Sequence, residues 1–385
     1  MALKLVHTAD WHLGMTFPSF EPEARLKLSR ARLEVIDRIL GLAERHRAHA
    51  VLCAGDLFDD PDPAPEWWEG LAKKFQAREQ GAPEWQTRPV FLLPGNHDPL
   101  TSNGVYSKTH PFRSALPGWV HVVDRDDFSH ELEGGAMLYA APCRSRSESR
   151  DLARALLPAR SAGDDRLRIG MVHGQTFDLA GCQLNFPIAL DAAENRGLDY
   201  LAIGDTHSLR DVTPNAHAPT MYPGAPEPTH FGEQRPGHVV VAYFPRDRRR
   251  RALIHDEPVA QWTWQELCCT SLEQLRELGA RDLTHHVVRL ILDLRASVAV
   301  FAEIERLLVE FEGTSAAHGK IGVLQVDRTR LRLATENSAD GFADAPEVLR
   351  ETAARLGALA EGESAEAEVA KRALYQLYRL TREAS

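Results

Sequence analysis

The sequence predicts an α/β protein of more than one domain, built around a sheet that is parallel in part. Three observations carry this. Short apolar runs of four to six residues recur through the first half, each ending in polar residues. A helical segment of 25 residues separates the first two runs, which makes a βαβ unit and so requires parallel pairing. At 385 residues the chain has room for two or three domains.

Composition narrows the class. Hydrophobic residues at 43% and charged residues at 26% suit a soluble globular protein with a sizeable core, which excludes disordered and fibrous readings. No apolar run approaches about 18 residues, so no membrane span is expected. The start, Met1-Ala2-Leu3-Lys4-Leu5-Val6, enters a strand-like run at once, so no signal peptide is expected. Five cysteines (Cys53, Cys143, Cys182, Cys268, Cys269) are odd in number and lack metal-type spacing. They read as reduced thiols in a cytoplasmic protein. A net charge of −10 disfavours coating nucleic acid by bulk charge. It leaves room for a local basic groove, or for an acidic centre neutralised by cations.

The apolar runs are Leu3–Thr8, Ala50–Ala54, Val90–Pro94, Leu167–Val172 and Tyr200–Ile203. Unalternating and bounded by Gly or Pro, they read as buried strands. The helix between the first two spans about 23–47, with Leu33, Ile36, Leu40 and Ala43 on one side. Gly237–Phe244 and Ala252–His255 flank Pro245–Arg251 as a β-hairpin. Composition shifts near 260. Val287–Leu294 and Ile321–Val326 then read as strands around a helix, Ala299–Phe311. Asn337–Ala345 is a polar linker. Asp344 and Pro346 start a helix over about 346–358, Gly362 breaks the chain, and Ser364 caps a last helix. The expected division is 1–260, 261–340 as a small α/β domain, and 341–385 as a C-terminal helical pair.

Polar residues after the strands carry chemistry. Asp10 and His12 address one ion if extended geometry continues past the strand, since i and i+2 share a side. Asp56 follows a strand and a glycine, where a carboxylate can bridge two ions. Asn96 offers a carbonyl oxygen, with His97 beside it. His173, Asp205 and His207 add nitrogen and oxygen ligands. Open α/β sheets place their sites at such strand ends. Carboxylate, amide and imidazole without thiolate suit Mn, Fe or Zn and argue against a structural zinc. Two ions about 3.5–4 Å apart can activate water and hold both oxygens of a phosphoryl transfer. Alone, Asp-x-His after a strand is common, and Gly-Asp and Gly-Asn-His-Asp also read as turns, since Gly and Asn suit positive φ. All five groups in order, each after a strand, are not.

This ordered set resembles that of the calcineurin-like metallophosphoesterases, at Asp10-Trp11-His12, Gly55-Asp56, Gly95-Asn96-His97-Asp98, His173 and Gly204–His207. Within that superfamily the chain is most similar to the bacterial SbcD group of DNA repair exonucleases, in its YhaO-type branch. The narrower likeness lies in His7–Gly14, Gly55-Asp56-Leu57-Phe58, and Tyr222–Pro228 followed by Phe231-Gly232-Glu233. It covers about residues 1–260. The resemblance implies a four-layer αββα sandwich with a binuclear centre and a small capping domain. It implies one ion on Asp10, His12, Asp56 and His207, and another on Asp56, Asn96, His173 and Asp205. His97 would contact the scissile phosphate and assist the leaving oxygen.

Two positions depart from the family pattern. Asp205 stands where most of the superfamily has His, which favours a hard cation, Mn²⁺ ahead of Fe or Zn. Asp59 stands where the SbcD group has His, so that residue's part in substrate handling does not transfer.

The implied function is two-metal hydrolysis of DNA phosphodiesters by a nuclease subunit beside an SMC-type ATPase; a homodimer is a further possible assembly. The alternatives are a small-substrate metallophosphatase or cyclic-nucleotide phosphodiesterase, and a weakly catalytic scaffold for DNA or the ATPase. Among secondary signals, Arg246–Arg251 reads as a solvated hairpin tip or a phosphate contact. Arg144, Arg146 and Arg150 read as loop surface. Trp67-Trp68 and Trp262/Trp264 read as packing before base stacking. On the last helix Ala370, Ala373, Leu374, Leu377 and Tyr378 form an apolar face, to be covered by its own domain or by a partner's coiled coil.

Overall fold

A computed structural model describes residues 3–79, 88–156, 164–179, 185–245, 247, 250–314, 317–333, 342, 345–360 and 364–383. Cys182, Arg246, Arg248, Arg249, Gly362 and most of the linker at 337–345, with Asp344, lie outside these residues. The chain divides into two compact units, Met1–Trp262 and Thr263–Ser385.

The first unit holds two six-stranded sheets. Its strands are β1 (Leu3–Thr8), β2 (Ala50–Cys53), β3 (Val90–Leu92), β4 (Val120–Val122), β5 (Phe128–Glu131), β6 (Met137–Ala140), β7 (Arg168–His173), β8 (Tyr200–Gly204), β9 (Arg210–Asp211), β10 (Thr220–Tyr222), β11 (His238–Phe244) and β12 (Leu253–Pro258). One sheet runs β12-β11-β1-β2-β3-β4 and the other β5-β6-β7-β8-β10-β9. β1, β2, β3 and β4 pair in parallel, as do β6, β7, β8 and β10. β11 and β12 form the expected antiparallel hairpin on the edge beside β1.

Period-two alternation assigns each side chain a layer. Leu3, Leu5, Leu52 and Phe91 meet Leu138, Ile169, Met171 and Ala202 between the sheets. Val6, Val51 and Leu92 face outward under α1 (Pro22–His46) and α2 (Pro65–Glu79), against Val35, Ile36, Ile39, Leu71 and Phe75. Phe112 of the short helix α3 (Pro111–Ala115) completes that layer. On the far side Val172, Leu201 and Ile203 lie under Leu152, Leu156, Leu198 and Ala192, the last on α4 (Ala192–Asn195). The result is the four-layer αββα sandwich. Strands covered on both faces have no polar side, which is why these runs do not alternate. Each such aliphatic side chain contributes about 1.5–3 kcal/mol by leaving water.

In this unit the sequence reading misses α2–α4, β4–β6, β9 and β10. The missed strands are two to four residues long, and β5 reads Phe-Ser-His-Glu, too polar to stand out. Trp67 and Trp68 pack against the core beneath α1 and α2, and Trp262 is buried.

The second unit has a parallel three-stranded sheet of β13 (Thr263–Cys269), β14 (Leu283–Leu292) and Ile321–Asp327. α5 (Leu272–Leu278) and α6 (Val298–Glu312) contribute Leu275, Leu278, Ile304, Leu308 and Phe311 to its core. α7 (Glu347–Leu359) and α8 (Ala365–Glu383) pack through Ala353, Leu374 and Tyr378 on Phe342, with Ala302 of α6 alongside. The apolar face of α8 is thus largely covered by its own chain, while Val369 and Leu380 remain exposed. No helix among the described residues is long and apolar enough to cross a membrane.

Candidate metal centre

The loops leaving β1 and β2 are laced together by their backbones. Asp10 N donates to Gly55 O, His12 N to Asp56 O and Leu13 N to Leu57 O, at 3.0, 3.0 and 2.8 Å. Trp11 is buried, and its Nε1 donates to Thr8 Oγ1 at 2.9 Å. The strand does not stay extended past its end. Asp10 has φ +55° and His12 φ +45°, so the pair is aimed by left-handed backbone, not by strand alternation. Asp56 (φ +53°) and Asp205 (φ +110°) share this feature. Each such residue costs on the order of 1–3 kcal/mol, a strain that collects at functional sites.

Two motif glycines exist to let site side chains approach. A Cβ at Gly55 would lie 2.1 Å from the His173 ring, and one at Gly95 would lie 2.1 Å from Asp56 Oδ1. The loop after β3 is fixed by Asp98, which is buried. Asp98 accepts from Gly95 N (2.8 Å), Phe58 N (2.9 Å) and the Tyr106 hydroxyl (2.7 Å). The sequence reading gave Asp98 no role, although it closes the Gly95–Asp98 motif. His97 N then donates to Asp56 Oδ1 at 2.9 Å.

All of the expected residues converge. Ligand atoms of Asp10, His12 and His207 lie within 4.8 Å of one another, and so do those of Asp10, Asp56 and His173. Asp56 Oδ2 is 3.9 Å from His12 Nε2 and 3.4 Å from His173 Nε2, between the two groups. Asn96 Oδ1 is 2.8 Å from His173 Nε2, and Asp205 Oδ1 is 3.8 Å from the same nitrogen. The backbone N of Asp205 donates to the Asp10 carboxylate at 3.0 Å.

The Nδ1 partners decide what these rings present inward. His173 Nδ1 faces Ala54 O at 2.8 Å and His12 Nδ1 faces Asp59 Oδ1 at 3.1 Å; both partners only accept. His207 Nδ1 faces Thr229 Oγ1 at 2.7 Å, whose hydroxyl donates to Glu233. Each Nδ1 therefore carries a hydrogen, and in the neutral ring each Nε2 has a lone pair. The Nε2 atoms of His12 and His207 oppose each other at 3.0 Å, and that of His173 opposes the Asn96 oxygen. Opposed lone pairs at these distances repel unless a metal ion or a proton lies between them. Donor chemistry and orientation fit divalent ions.

Electrostatics agree. Burial pushes Asp10 up to about 7, partly offset by His173 and His207. Burial works against protonated His173, but Asp56, with Asp10 and Asp205, outweighs it and raises the ring to about 10. Without a metal, a proton occupies the place a cation would take. His12, more deeply desolvated than compensated, falls to about 4.

His97 stands apart, with a side chain 45% exposed against 2% for His12. Its Nδ1 lies 3.4 Å from Asp59 Oδ1 and 3.3 Å from Asp59 O. The hydrogen bond to Asp59 is the main cause that raises His97 to about 9. Asp59 thus touches both His12 and His97, a role that sequence reasoning missed because only the fold brings position 59 between positions 12 and 97.

The secondary signals lie outside this cluster. Arg144, Arg146 and Arg150 pair with Asp126, Asp60 and Glu148 on the surface, and Arg251 pairs with Asp211.

Residues 3–209 match the calcineurin-like phosphoesterase family. The uncharacterized metallophosphoesterase YhaO of Bacillus subtilis (strain 168) is 29% identical over 241 residues, covering 60% of this chain and 55% of that protein. The SbcD subunit of the SbcCD nuclease of the same organism is 32% identical over 306 residues, covering 70% of each chain. Its counterpart in the SbcCD nuclease of Escherichia coli (strain K12) is 33% identical over 101 residues, 26% of this chain and 22% of that one. The chain thus spans about half the length of the first of these relatives.

Proposed function

The chain belongs to the calcineurin-like phosphoesterase family, and from that premise we propose that it is a metal-dependent phosphodiesterase that cleaves DNA. The observation that carries the metal requirement is the opposed pair of Nε2 atoms, 3.0 Å apart, beside buried Asp10 and Asp56. The site residues are Asp10, His12, Asp56 and His207 for one ion, and Asp56, Asn96, His173 and Asp205 for the other. Mn²⁺ is the expected ion, given the carboxylate-rich donors. Two such ions supply a water of lowered pKa and positive charge against the transferring phosphoryl group.

The chain's own residues do the rest. His97, held protonated by Asp59, presents Nε2–H to the phosphate and to the departing oxygen. Asp98 holds the loop that carries His97 at its distance from Asp56. The choice of DNA rests on likeness to the SbcD subunits of SbcCD nucleases. By the same likeness the working partner is an SMC-type ATPase, and the compartment is the cytoplasm. We assign the chemistry to residues 1–260 and accessory roles to 261–340 and 341–385.

The test uses the full chain reconstituted with Mn²⁺, against bis-p-nitrophenyl phosphate and linear DNA, with chelator controls. Cleavage of both supports the proposal. Cleavage of the small ester alone points to a small-substrate phosphoesterase. Failure to bind metal and to cleave either substrate leaves the scaffold reading.

A further inference from the structure

The segment Tyr222–Glu233 supplies none of the candidate metal ligands, yet it is anchored directly to the metal centre. Gly224 (φ +78°) lies so close that a Cβ there would stand 2.8 Å from His207 O. Ala225 N donates to that same oxygen at 3.1 Å. Arg32, buried under the site, donates from Nη2 to Pro228 O at 2.8 Å and from Nη1 to Trp11 O at 3.1 Å. The segment is therefore fixed against both the His207 loop and the His12 loop.

Its end meets the His207 ring. The Glu233 side chain is only 2% exposed. Its carboxylate accepts from Thr229 N at 3.1 Å and from the Thr229 hydroxyl. His207 Nδ1 lies 2.7 Å from Thr229 Oγ1 and 3.2 Å from Glu233 Oε1. Since the hydroxyl's hydrogen is committed to Glu233, Thr229 Oγ1 can only accept from His207. Acceptors alone face Nδ1, so the proton of the neutral ring is held there.

We infer that Glu233 and Thr229 are positioning residues that lock His207 in its Nδ1–H tautomer and so keep the Nε2 lone pair turned toward the metal centre. A neutral imidazole free in water prefers its proton on Nε2. That tautomer would put a hydrogen on a nitrogen that lies 3.0 Å from His12 Nε2, in the space a cation needs. The pair thus prepares the site before any ion arrives. Outer partners of ligating histidines typically change metal affinity by about 10–100-fold. The inference rests on the reading of His207 as a metal ligand.

The experiment uses the metal-free full chain and two readouts independent of turnover. Nitrogen-15 NMR of labelled histidine, followed up in pH until the His207 signal is that of a neutral ring, reports the His207 tautomer, assigned by its loss in His207→Ala. Calorimetry reports affinity for Mn²⁺ alone. In wild type His207 carries its proton on Nδ1. Thr229→Val and Glu233→Ala move population to the Nε2–H form and weaken Mn²⁺ binding by about 10–100-fold, and Thr229→Ser restores both. If Glu233→Ala does not fold, the Thr229→Val and Thr229→Ser pair decides. Thr229→Val with the wild-type tautomer and Mn²⁺ affinity, while His207→Ala binds weakly, overturns the inference alone. His207→Ala with unchanged Mn²⁺ affinity overturns the ligand reading and the inference with it.

Discussion

The two units treat charge in opposite ways. In the first, Asp10, His12, Arg32, Asp56, Asp98, His173 and Glu227 are all buried. In the second, no charged side chain among the described residues is buried. Its ion pairs lie on the surface, as where Arg289 reaches Glu266 at 3.0 Å across β13 and β14. Backbone strain divides in the same way. Every described non-glycine residue with positive φ, from Asp10 to Arg235, belongs to the first unit. Burying a charge costs several kcal/mol unless it is paired or coordinates an ion. A unit that buries charge and places left-handed backbone at Asp10, His12, Asp56 and Asp205 is organised for chemistry. A unit that solvates every charge is organised for packing and contact.

Substitutions can break this contrast, beginning with the largest effect. Gly95→Ala puts a methyl group 2.1 Å from Asp56 Oδ1, so phosphodiester cleavage should fall to background while circular dichroism still reports a folded chain. An active Gly95→Ala enzyme would mean that Asp56 is free to move. His97→Ala should lose about 10²-fold or more in cleavage and keep its metal content by elemental analysis. Loss of the metals would make His97 a ligand.

The metal itself provides a third comparison. Mn²⁺ should activate better than Zn²⁺ by about tenfold, and Asp205→Ala should lower the number of ions bound per chain. Unaltered stoichiometry and turnover would remove Asp205 from the site. A fourth test sharpens the contrast without touching the ligands. His7 is buried against Tyr200, and burial lowers its pKa from 6.5 to about 3. Between those values the unfolded chain binds a proton that the folded chain does not, so stability falls as pH falls through this window. His7→Phe should flatten the stability–pH slope of the metal-free protein by up to about 1.4 kcal/mol per pH unit. Parallel wild-type and variant slopes in urea unfolding from pH 7 to pH 5 would show that His7 does not carry it. The smallest effect belongs to the second unit. Glu266→Ala removes an exposed pair and should move the melting temperature by no more than about 2 °C.

Much of the fold was legible because its strands are apolar on both faces, and the βαβ start requires parallel pairing. The cluster of candidate ligands was legible because Asp, Asn and His follow strand ends in a fixed order. What escaped has specific causes. β5 is short and polar, so it carries no pattern. Asp98 reads as a turn residue and Asp59 as a departure from the family pattern, since nothing local tells of Phe58 N, Tyr106 or His97. The extended Asp10–His12 expectation failed because the backbone turns left-handed where the β1 and β2 loops are laced together, a constraint set by residues 55–57.

From the sequence alone come the element types, the residues able to ligate and the family that arranges them so. These depend on neighbours within a few positions, or on order along the chain. The tertiary structure decided which nitrogen of each histidine faces the centre. His12 answers to Asp59, His173 to Ala54 and His207 to Thr229 and Glu233. A tautomer is chosen by whichever acceptor lies within about 3 Å of a ring nitrogen. For His12 and His173 that acceptor is 47 and 119 residues away in sequence, a separation that only folding closes.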